Sequence, residues 1–176
     1  MSTLVLGSPP PEIEALKERR RRSGVDRFDE VWDGVLHLVP APSFAHAYVS
    51  GQLVELLGPP AREAGLVPTV GGFNLGENEN DYRVPDGGLH REGDSCVWHP
   101  TAALVFEIVS PDDETWDKLP FYAAHGVDEV LIVDPTERSV HWLALEGGEY
   151  REVKRSGLID LGPSQLAERI DWPPSE

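Results

Sequence analysis

The stretch that decides the fold is residues 102–109, AALVFEIV. Apolar side chains at successive positions would face both sides of an extended chain, which predicts a central strand covered on both faces. Glu107 is the one carboxylate in this stretch. An ionised carboxylate in such a strand costs several kcal/mol unless it is paired, protonated or bound to a cation. We therefore expect Glu107 to belong to a functional site rather than to a frayed strand end.

Helix and strand patterns alternate after this stretch. Residues 114–125 are predicted to form a helix that ends at Gly126, and VLIV at 130–133 predicts a second strand buried on both faces. A terminal hairpin over 139–154 and a short helix over 163–170 complete the chain. A strand, a helix and a second strand in succession predict a parallel strand pair.

Hairpins are predicted before the central stretch as well. Residues 27–39 surround the turn dipeptide Asp33-Gly34, which predicts a β-hairpin. Ser43 is typical of a helix N-cap, and we expect that helix to end at Gly58-Pro59-Pro60. Short extended segments follow at 66–70, 72–75 and 82–84, with a polar turn at 76–80. The whole pattern predicts an α/β fold with a mixed central sheet flanked by helices and additional β-hairpins.

Length and charge limit the function classes. The chain has 176 residues, and 31 acidic against 15 basic side chains give a net charge of −16. We expect one globular domain over 26–176, preceded by a partly helical N-terminal segment over 1–25. So negative a chain repels polyphosphates at long range, which excludes a general nucleic-acid coat protein. A nuclease whose acidic site is screened by cations remains compatible with this charge. The basic run at 17–22 is interpreted as a solvated helix face, with a phosphate-binding patch as the alternative.

Cysteine content and hydropathy indicate the compartment. Cys96 is the single cysteine, which excludes an internal disulfide framework and fits a reducing compartment. No apolar run approaches the roughly 20 residues that span a bilayer, and the N-terminus lacks a signal-peptide pattern. We therefore expect a cytoplasmic protein that is not embedded in a membrane.

An acidic pair and a lysine form the candidate catalytic set. Asp86 lies upstream of Glu107, in a Val-Pro-Asp-Gly sequence that alone indicates only a turn. Lys118 lies four residues after Glu114 and four before Tyr122, so the three share a face of the predicted helix. The alternative for Lys118 is a surface ion pair with Glu114.

This combination is what metal-assisted phosphodiester hydrolysis requires. Two carboxylates, Asp86 and Glu107, suit Mg²⁺, and the Ile108 carbonyl can add a third oxygen. The Lys118 ammonium can orient the attacking water and offset the charge that develops at phosphorus. A zinc hydrolase built from His90, Cys96 and His99 is a competing reading, but the spacing matches no short-loop zinc pattern.

At this point the chain resembles a known family. The ordered segments DEVWDGVLHLVPAPSFAHAYV, YRVPD, ALVFEIVSP and AAHGVDEVLIVDP, with Lys118 and Tyr122 between the last two, resemble the Uma-two family of restriction-endonuclease-like domains in the PD-(D/E)XK nuclease superfamily. The resemblance runs from about Asp29 to Asp134. It implies a restriction-endonuclease-like fold, DNA as substrate, and Mg²⁺ as cofactor with Mn²⁺ as a substitute.

The resemblance also assigns residues. The superfamily's aspartate falls on Asp86 and its strand carboxylate on Glu107, whereas Val109 occupies the place of the usual lysine, which Lys118 supplies from the next helix. Further members are expected around the site, namely Glu30, His46 and Tyr122. Gly87-Gly88 follows Asp86 where relatives continue a β-branched strand, which predicts a looser backbone there.

Two functions follow from this reading. The first is a Mg²⁺-dependent endonuclease that hydrolyses DNA phosphodiester bonds with Asp86, Glu107 and Lys118. The second is a non-catalytic, dimeric interaction module that keeps the nuclease fold. The net charge favours the second, while the intact acid pair and lysine favour the first.

Overall fold

The computed structural model describes residues 10–71, 73–93, 96–110 and 114–174. Its helices are α1 (Pro11–Ser23), α2 (Phe44–Glu63), α3 (Leu119–Ala124) and α4 (Pro163–Arg169), with 3₁₀ turns at Val25–Phe28 and Thr115–Lys118. Its strands are β1 (Glu30–Trp32), β2 (Val35–His37), β3 (Val67–Val70), β4 (Asn74–Asn78), β5 (Asp81–Arg83), β6 (Gly87–His90), β7 (Trp98–His99), β8 (Leu104–Ile108), β9 (Glu129–Asp134), β10 (Ser139–Glu146) and β11 (Glu149–Glu152).

The strands form two sheets. The larger one has the order β11-β10-β9-β8-β6-β3, and the smaller one has the order β2-β1-β5-β4-β7. β8 pairs parallel with β9 across the α3 crossover, while β6 and β10 pair antiparallel with these two strands. The mixed central sheet, the flanking helices and the additional hairpins confirm the predicted fold class.

β8 is covered on both faces, as its apolar sequence predicts. Leu104, Phe106 and Ile108 belong to the core that also contains buried residues of α2 and α4. Val105 belongs to a second core, built with α3 residues such as Phe121 and Tyr122. Because side chains alternate along a strand, Glu107 points to the same face as Val105, toward α3.

The prediction that the first long helix ends at Gly58 is wrong. Helix α2 continues through Pro59 and Pro60 to Glu63. The two prolines remove backbone donors from its last turns. The same turns bury Leu57 and Ala61 against the sheet, and this packing outweighs the lost hydrogen bonds. The chain reverses at Gly65, whose φ of 76° suits a glycine.

The backbone after Asp86, predicted to be looser because of its two glycines, lies in a paired strand. Gly87 and Gly88 begin β6, which is hydrogen-bonded to β3 on one side and to β8 on the other. A Cβ atom on Gly87 would lie 2.1 Å from Cζ of Phe106. Glycine is therefore needed here because the Phe106 ring crosses the strand, and β6 holds Asp86 from a central position.

Other boundaries differ by a few residues. The predicted polar turn at 76–80 is shorter, since β4 runs to Asn78 before pairing with β5. The predicted helix over 114–125 consists of the 3₁₀ turn and α3, so Lys118 lies next to the helix start as Pro120 indicated. Gly72, the first residue of one predicted segment, lies outside the described residues, as do residues 1–9 of the predicted N-terminal segment.

Helix α1 is attached mainly through one arginine. None of its residues is buried. Arg20 forms an ion pair with the buried Asp29 and donates from Nη2 to the Val39 carbonyl at 2.6 Å. The Val39 N–H in turn donates to Asp29 at 3.0 Å. Among the described residues, no helix is long and apolar enough to cross a membrane.

Candidate active site

A cavity of about 570 Å³ opens at the C-terminal end of β8. Its lining includes most of the site residues predicted from the sequence: Glu30, His46, Asp86, Glu107, Ile108 and Lys118. Tyr122 lies behind Glu107 and is fully buried. Residues that are far apart in sequence therefore meet at one end of the central sheet, although their catalytic and metal-binding roles stay predictions.

Glu107 lies at the floor of the cavity and is 3% exposed. Its Oε1 atom accepts a hydrogen bond from the Tyr122 hydroxyl and lies 3.2 Å from Nζ of Lys118. The strand places this carboxylate among apolar neighbours, while the 3₁₀ turn supplies Lys118 and α3 supplies Tyr122 as its partners. Glu107 thus has the partner that its burial requires.

Lys118 is enclosed between two carboxylates. Its Nζ atom lies 2.9 Å from Oε1 of Glu30, in addition to its contact with Glu107, and its side chain is 14% exposed. Oε2 of Glu114 lies 3.0 Å from Nδ1 of His37. Lys118 is therefore a buried group of the cavity floor and not the surface partner of Glu114 that the spacing alone favoured.

Glu30 connects the first hairpin to this floor. Its Oε1 also accepts the Val84 N–H at 2.9 Å, and its Oε2 accepts Nε1–H of Trp32 at 2.7 Å. Glu30 is 2% exposed. Glu30 is predicted only through the family resemblance, and Trp32 is not predicted as a site residue. Alternate residues of a strand share a face, so Glu30 and Trp32 lie on one face of β1. This alternation could have indicated that the two side chains are neighbours.

Asp86 lies just before β6 and is fixed from two sides. Its Oδ2 atom accepts the Ile108 N–H at 2.8 Å and lies 3.0 Å from Nε2 of His46. His46 lies in the first turn of α2, where its own N–H donates to the Ser43 cap at 3.2 Å. The bond to Ile108 brings Asp86 next to the strand residue that follows Glu107.

The electrostatics of the floor follow from burial and from three nearby carboxylates. Burial raises the pKa of Glu107 to about 7, and the charges of Asp86 and Glu30 also raise it, while Lys118 and Tyr122 oppose the shift. Burial alone would lower the pKa of Lys118, but Glu107 and Glu30 outweigh it, so the pKa of Lys118 is raised and the ammonium form persists. Burial, followed by Glu107, raises the pKa of Tyr122 well above its usual value, which keeps the hydroxyl as a donor.

The donor set fits a hard divalent cation. The hydrogen bonds described for Glu107 are accepted by Oε1, and those described for Asp86 by Oδ2, so each carboxylate has its second oxygen for other ligands. Mg²⁺ is commonly held by one or two protein carboxylates together with water. Within the described ranges, no group of three or more His, Cys, Asp or Glu side chains is arranged to hold a metal.

The mixed sheet and the acidic cavity with a buried lysine at the end of β8 define a restriction-endonuclease-like domain. The chain belongs to the Uma2 family, whose model, described as "Putative restriction endonuclease", matches residues 16–168. This membership confirms the predicted family.

A solved structure has a similar fold. It is the crystal structure of a "putative nuclease belonging to DUF820" from Anabaena variabilis ATCC 29413, with a TM-score of 0.65 and 16% sequence identity over 80% of this chain and 90% of that chain. The cryoEM structure of a DrdV–DNA complex matches at a TM-score of 0.42 and 18% identity, over 88% of this chain and 13% of that chain. No curated protein matches the chain.

Proposed function

We propose that this protein is a metal-dependent endonuclease that hydrolyses phosphodiester bonds in DNA. The observation that carries the proposal is the burial of Lys118 between Glu30 and Glu107, on the floor of a cavity that Asp86 also lines. Family membership supports nuclease chemistry. The residue roles, the metal and the DNA substrate are our proposal.

Asp86, Glu107 and the Ile108 carbonyl would hold Mg²⁺, or Mn²⁺ in its place. When bound, the ion supplies Lewis-acid stabilisation of the phosphodiester under attack. The three protein oxygens leave the remaining positions to water and substrate, as is usual for Mg²⁺.

Lys118 donates hydrogen bonds from a charged group that does not change its protonation state. An ammonium group beside the scissile phosphate orients the attacking water and stabilises negative charge as it develops on the phosphate oxygens. Glu30 is a positioning residue, since its 2.9 Å contact holds Nζ at the cavity floor. Tyr122 has a similar role, since its hydroxyl fixes Oε1 of Glu107. His46 fixes Oδ2 of Asp86.

The non-catalytic module remains the second candidate, because a net charge of −16 opposes the approach of DNA. In that case the protein would use its fold for protein association, with a homodimer as the simplest form. We also propose that residues 26–176 form the nuclease-like domain and that the protein acts in the cytoplasm, where DNA is accessible.

Cleavage of plasmid and of single-stranded DNA tests the function. Wild-type protein should cut in Mg²⁺ or Mn²⁺ and not in EDTA. Lys118→Ala should lower turnover by about a hundredfold or more, which is the effect of losing one positioned electrostatic group. Lys118→Arg should rescue little, because a planar guanidinium does not fit a site shaped for an ammonium.

Matched variants separate catalysis from folding. Lys154→Ala, at an exposed lysine, is the control and should cut like wild type. Glu107→Gln should abolish cutting and metal binding, whereas Lys118→Ala should keep metal binding. Wild-type rates in Lys118→Ala would remove the role given to this lysine. No cutting by folded, metal-binding wild type on varied substrates would favour the non-catalytic module.

A further inference from the structure

The rim of the cavity carries arginines that the proposed chemistry does not use. The guanidinium of Arg27 lies 4.7 Å from the centroid of the Phe28 ring, and Phe28 lines the cavity. Arg27 is exposed to solvent. A positive group therefore contacts a wall residue of a cavity whose floor contains three carboxylates.

The last turn of α1 is fixed beside the same wall. Arg20 donates to the Val39 carbonyl at 2.6 Å and pairs with Asp29, and Val39 lines the cavity. The flanking arginines of this turn are exposed, namely Arg19, Arg21 and Arg22. Together with Arg27 we call them the rim patch: Arg19, Arg21, Arg22 and Arg27.

The rim patch is available to a ligand of high negative charge. Arg21 and Arg22 contact Glu18 at 2.9 and 3.2 Å, and the side chains of the two arginines are 69% and 76% exposed while that of Glu18 is 45% exposed. Exposed pairs of this kind contribute about 0–1 kcal/mol, so a phosphate can replace Glu18 as the partner. In a chain with a net charge of −16, these arginines form a local excess of positive charge, linked to the cavity wall through Arg20 at Val39 and Arg27 at Phe28.

We propose that the rim patch binds the sugar–phosphate backbone of the DNA substrate next to the bond that is cut. This inference rests on the proposed nuclease function and adds a substrate-binding surface to it. Guanidinium groups bind phosphate oxygens through paired hydrogen bonds, which fixes the register of the strand without reading its sequence. A local basic surface also offsets the long-range repulsion between DNA and an acidic protein.

DNA affinity measured apart from cleavage tests the rim patch. The rim variant changes all four arginines to glutamine: Arg19→Gln, Arg21→Gln, Arg22→Gln and Arg27→Gln. The control variant removes the same number of exposed cations elsewhere: Arg91→Gln, Arg151→Gln, Lys154→Gln and Arg155→Gln. Both variants therefore have the same net charge. Each is made in full-length Glu107→Gln protein, so that the DNA is not cut during the measurement.

The readout is the anisotropy of a fluorescein-labelled 20-base-pair duplex in Mg²⁺ at several KCl concentrations. The rim variant should bind about tenfold more weakly at low salt. The negative slope of the logarithm of the association constant against log[KCl] should decrease in magnitude by about 0.9 for each lost phosphate contact. The control variant should change the affinity by less than about twofold. Far-UV circular dichroism checks that α1 remains helical in the rim variant. Arg27 lies outside α1, so Arg27→Gln alone should still reduce the magnitude of the salt slope by about one.

The outcomes separate this inference from the proposed function. Equal weakening by the rim and control variants would overturn the rim patch, because net charge alone would explain it. Unchanged affinity in the rim variant, with wild-type protein still cutting plasmid, would overturn the rim patch and leave the nuclease proposal intact. Absence of both DNA binding and cutting in wild-type protein would overturn both.

Discussion

Three carboxylates share one ammonium group at the cavity end of β8. Glu30 and Glu107 both contact Lys118, and Asp86 raises the pKa of Glu107 although it has its own donors. One buried cation does not compensate three anions, of which Glu30 and Glu107 are 2% and 3% exposed. The site therefore has a deficit of positive charge that either a proton on Glu107 or a bound cation can supply.

The proton on Glu107 gives a pH-dependent prediction. Burial and the neighbouring carboxylates raise the pKa of Glu107 from 4.5 to about 7 in the folded protein. Between these two values the unfolded chain releases the proton and the folded protein keeps it, so rising pH lowers the free energy of unfolding. The loss is complete above pH 7 and amounts to about 3 kcal/mol. Glutamine does not titrate, so Glu107→Gln should be more stable than wild type at pH 8.

Urea denaturation in EDTA at pH 5 and pH 8 measures this difference. The stability gap between Glu107→Gln and wild type should be small at pH 5 and should widen at pH 8. Glu63→Gln, at an exposed carboxylate of α2, is the control. A gap that stays constant across this range would contradict the raised pKa.

At the scale of elements, β6 positions Asp86 through close contact with β8. A Cβ atom on Gly87 would lie 2.1 Å from Cζ of Phe106 and 2.7 Å from the Thr69 carbonyl oxygen. Gly87→Ala should therefore lower the free energy of unfolding by about 1 to 3 kcal/mol or more, since a packed core and two paired strands cannot both shift. Chemical denaturation measures the loss.

Two further variants test this close contact. Gly93→Ala is the matched control, because no atom lies within 4 Å of its added Cβ, and it should change stability little. Adding Phe106→Leu to Gly87→Ala should cost less than the sum of the two single changes, because it removes one of the two clashes. Additive losses would show that Phe106 is not the obstacle.

The sequence correctly predicts the elements that are determined by residues close together in the chain. β8 and β9 are apolar on both faces, the Asp33-Gly34 turn has φ angles of 49° and 81°, and the Ser43 cap forms its predicted bond. The end of α2 was not predictable in the same way, because proline chemistry indicates a stop and only the packing of Leu57 and Ala61 overrides it. The Val-Pro-Asp-Gly sequence alone indicates a turn at Gly87. The need for glycine there comes from the Phe106 ring, which is 19 residues away in sequence.

The residues of the candidate site also divide into those that a local pattern predicts and those that it does not. Glu107 is predicted because a carboxylate interrupts an apolar strand, and Lys118 because of its spacing on the predicted helix. Glu30 meets Lys118 across 88 residues, and no local pattern states that contact. The burial of Lys118 could not be derived either, because the spacing to Glu114 is equally compatible with a surface pair.

At the scale of the molecule, the excess of acidic residues affects metal binding and stability together. A net charge of −16 repels itself in the compact state, so any salt stabilises the protein somewhat by screening. A specific site must therefore be separated from this general effect. General screening depends on ionic strength and not on Glu107. A specific site instead distinguishes divalent from monovalent ions at equal ionic strength and requires Glu107.

Divalent metal should accordingly stabilise the folded protein beyond screening. A cation between Asp86 and Glu107 removes their repulsion and binds the folded state alone, so it raises the free energy of unfolding by RT ln(1 + [M]/Kd). For a Kd of about 1 mM, 10 mM Mg²⁺ contributes about 1.4 kcal/mol, which is about 3 to 6 °C in Tm for a domain of this size. Thermal unfolding followed by circular dichroism measures the shift against NaCl at equal ionic strength.

Glu107→Gln should lose the shift and Glu63→Gln should keep it. Equal melting temperatures in Mg²⁺ or Mn²⁺ and in NaCl would count against an assembled site, whereas a shift that survives in Glu107→Gln would assign the metal to other carboxylates.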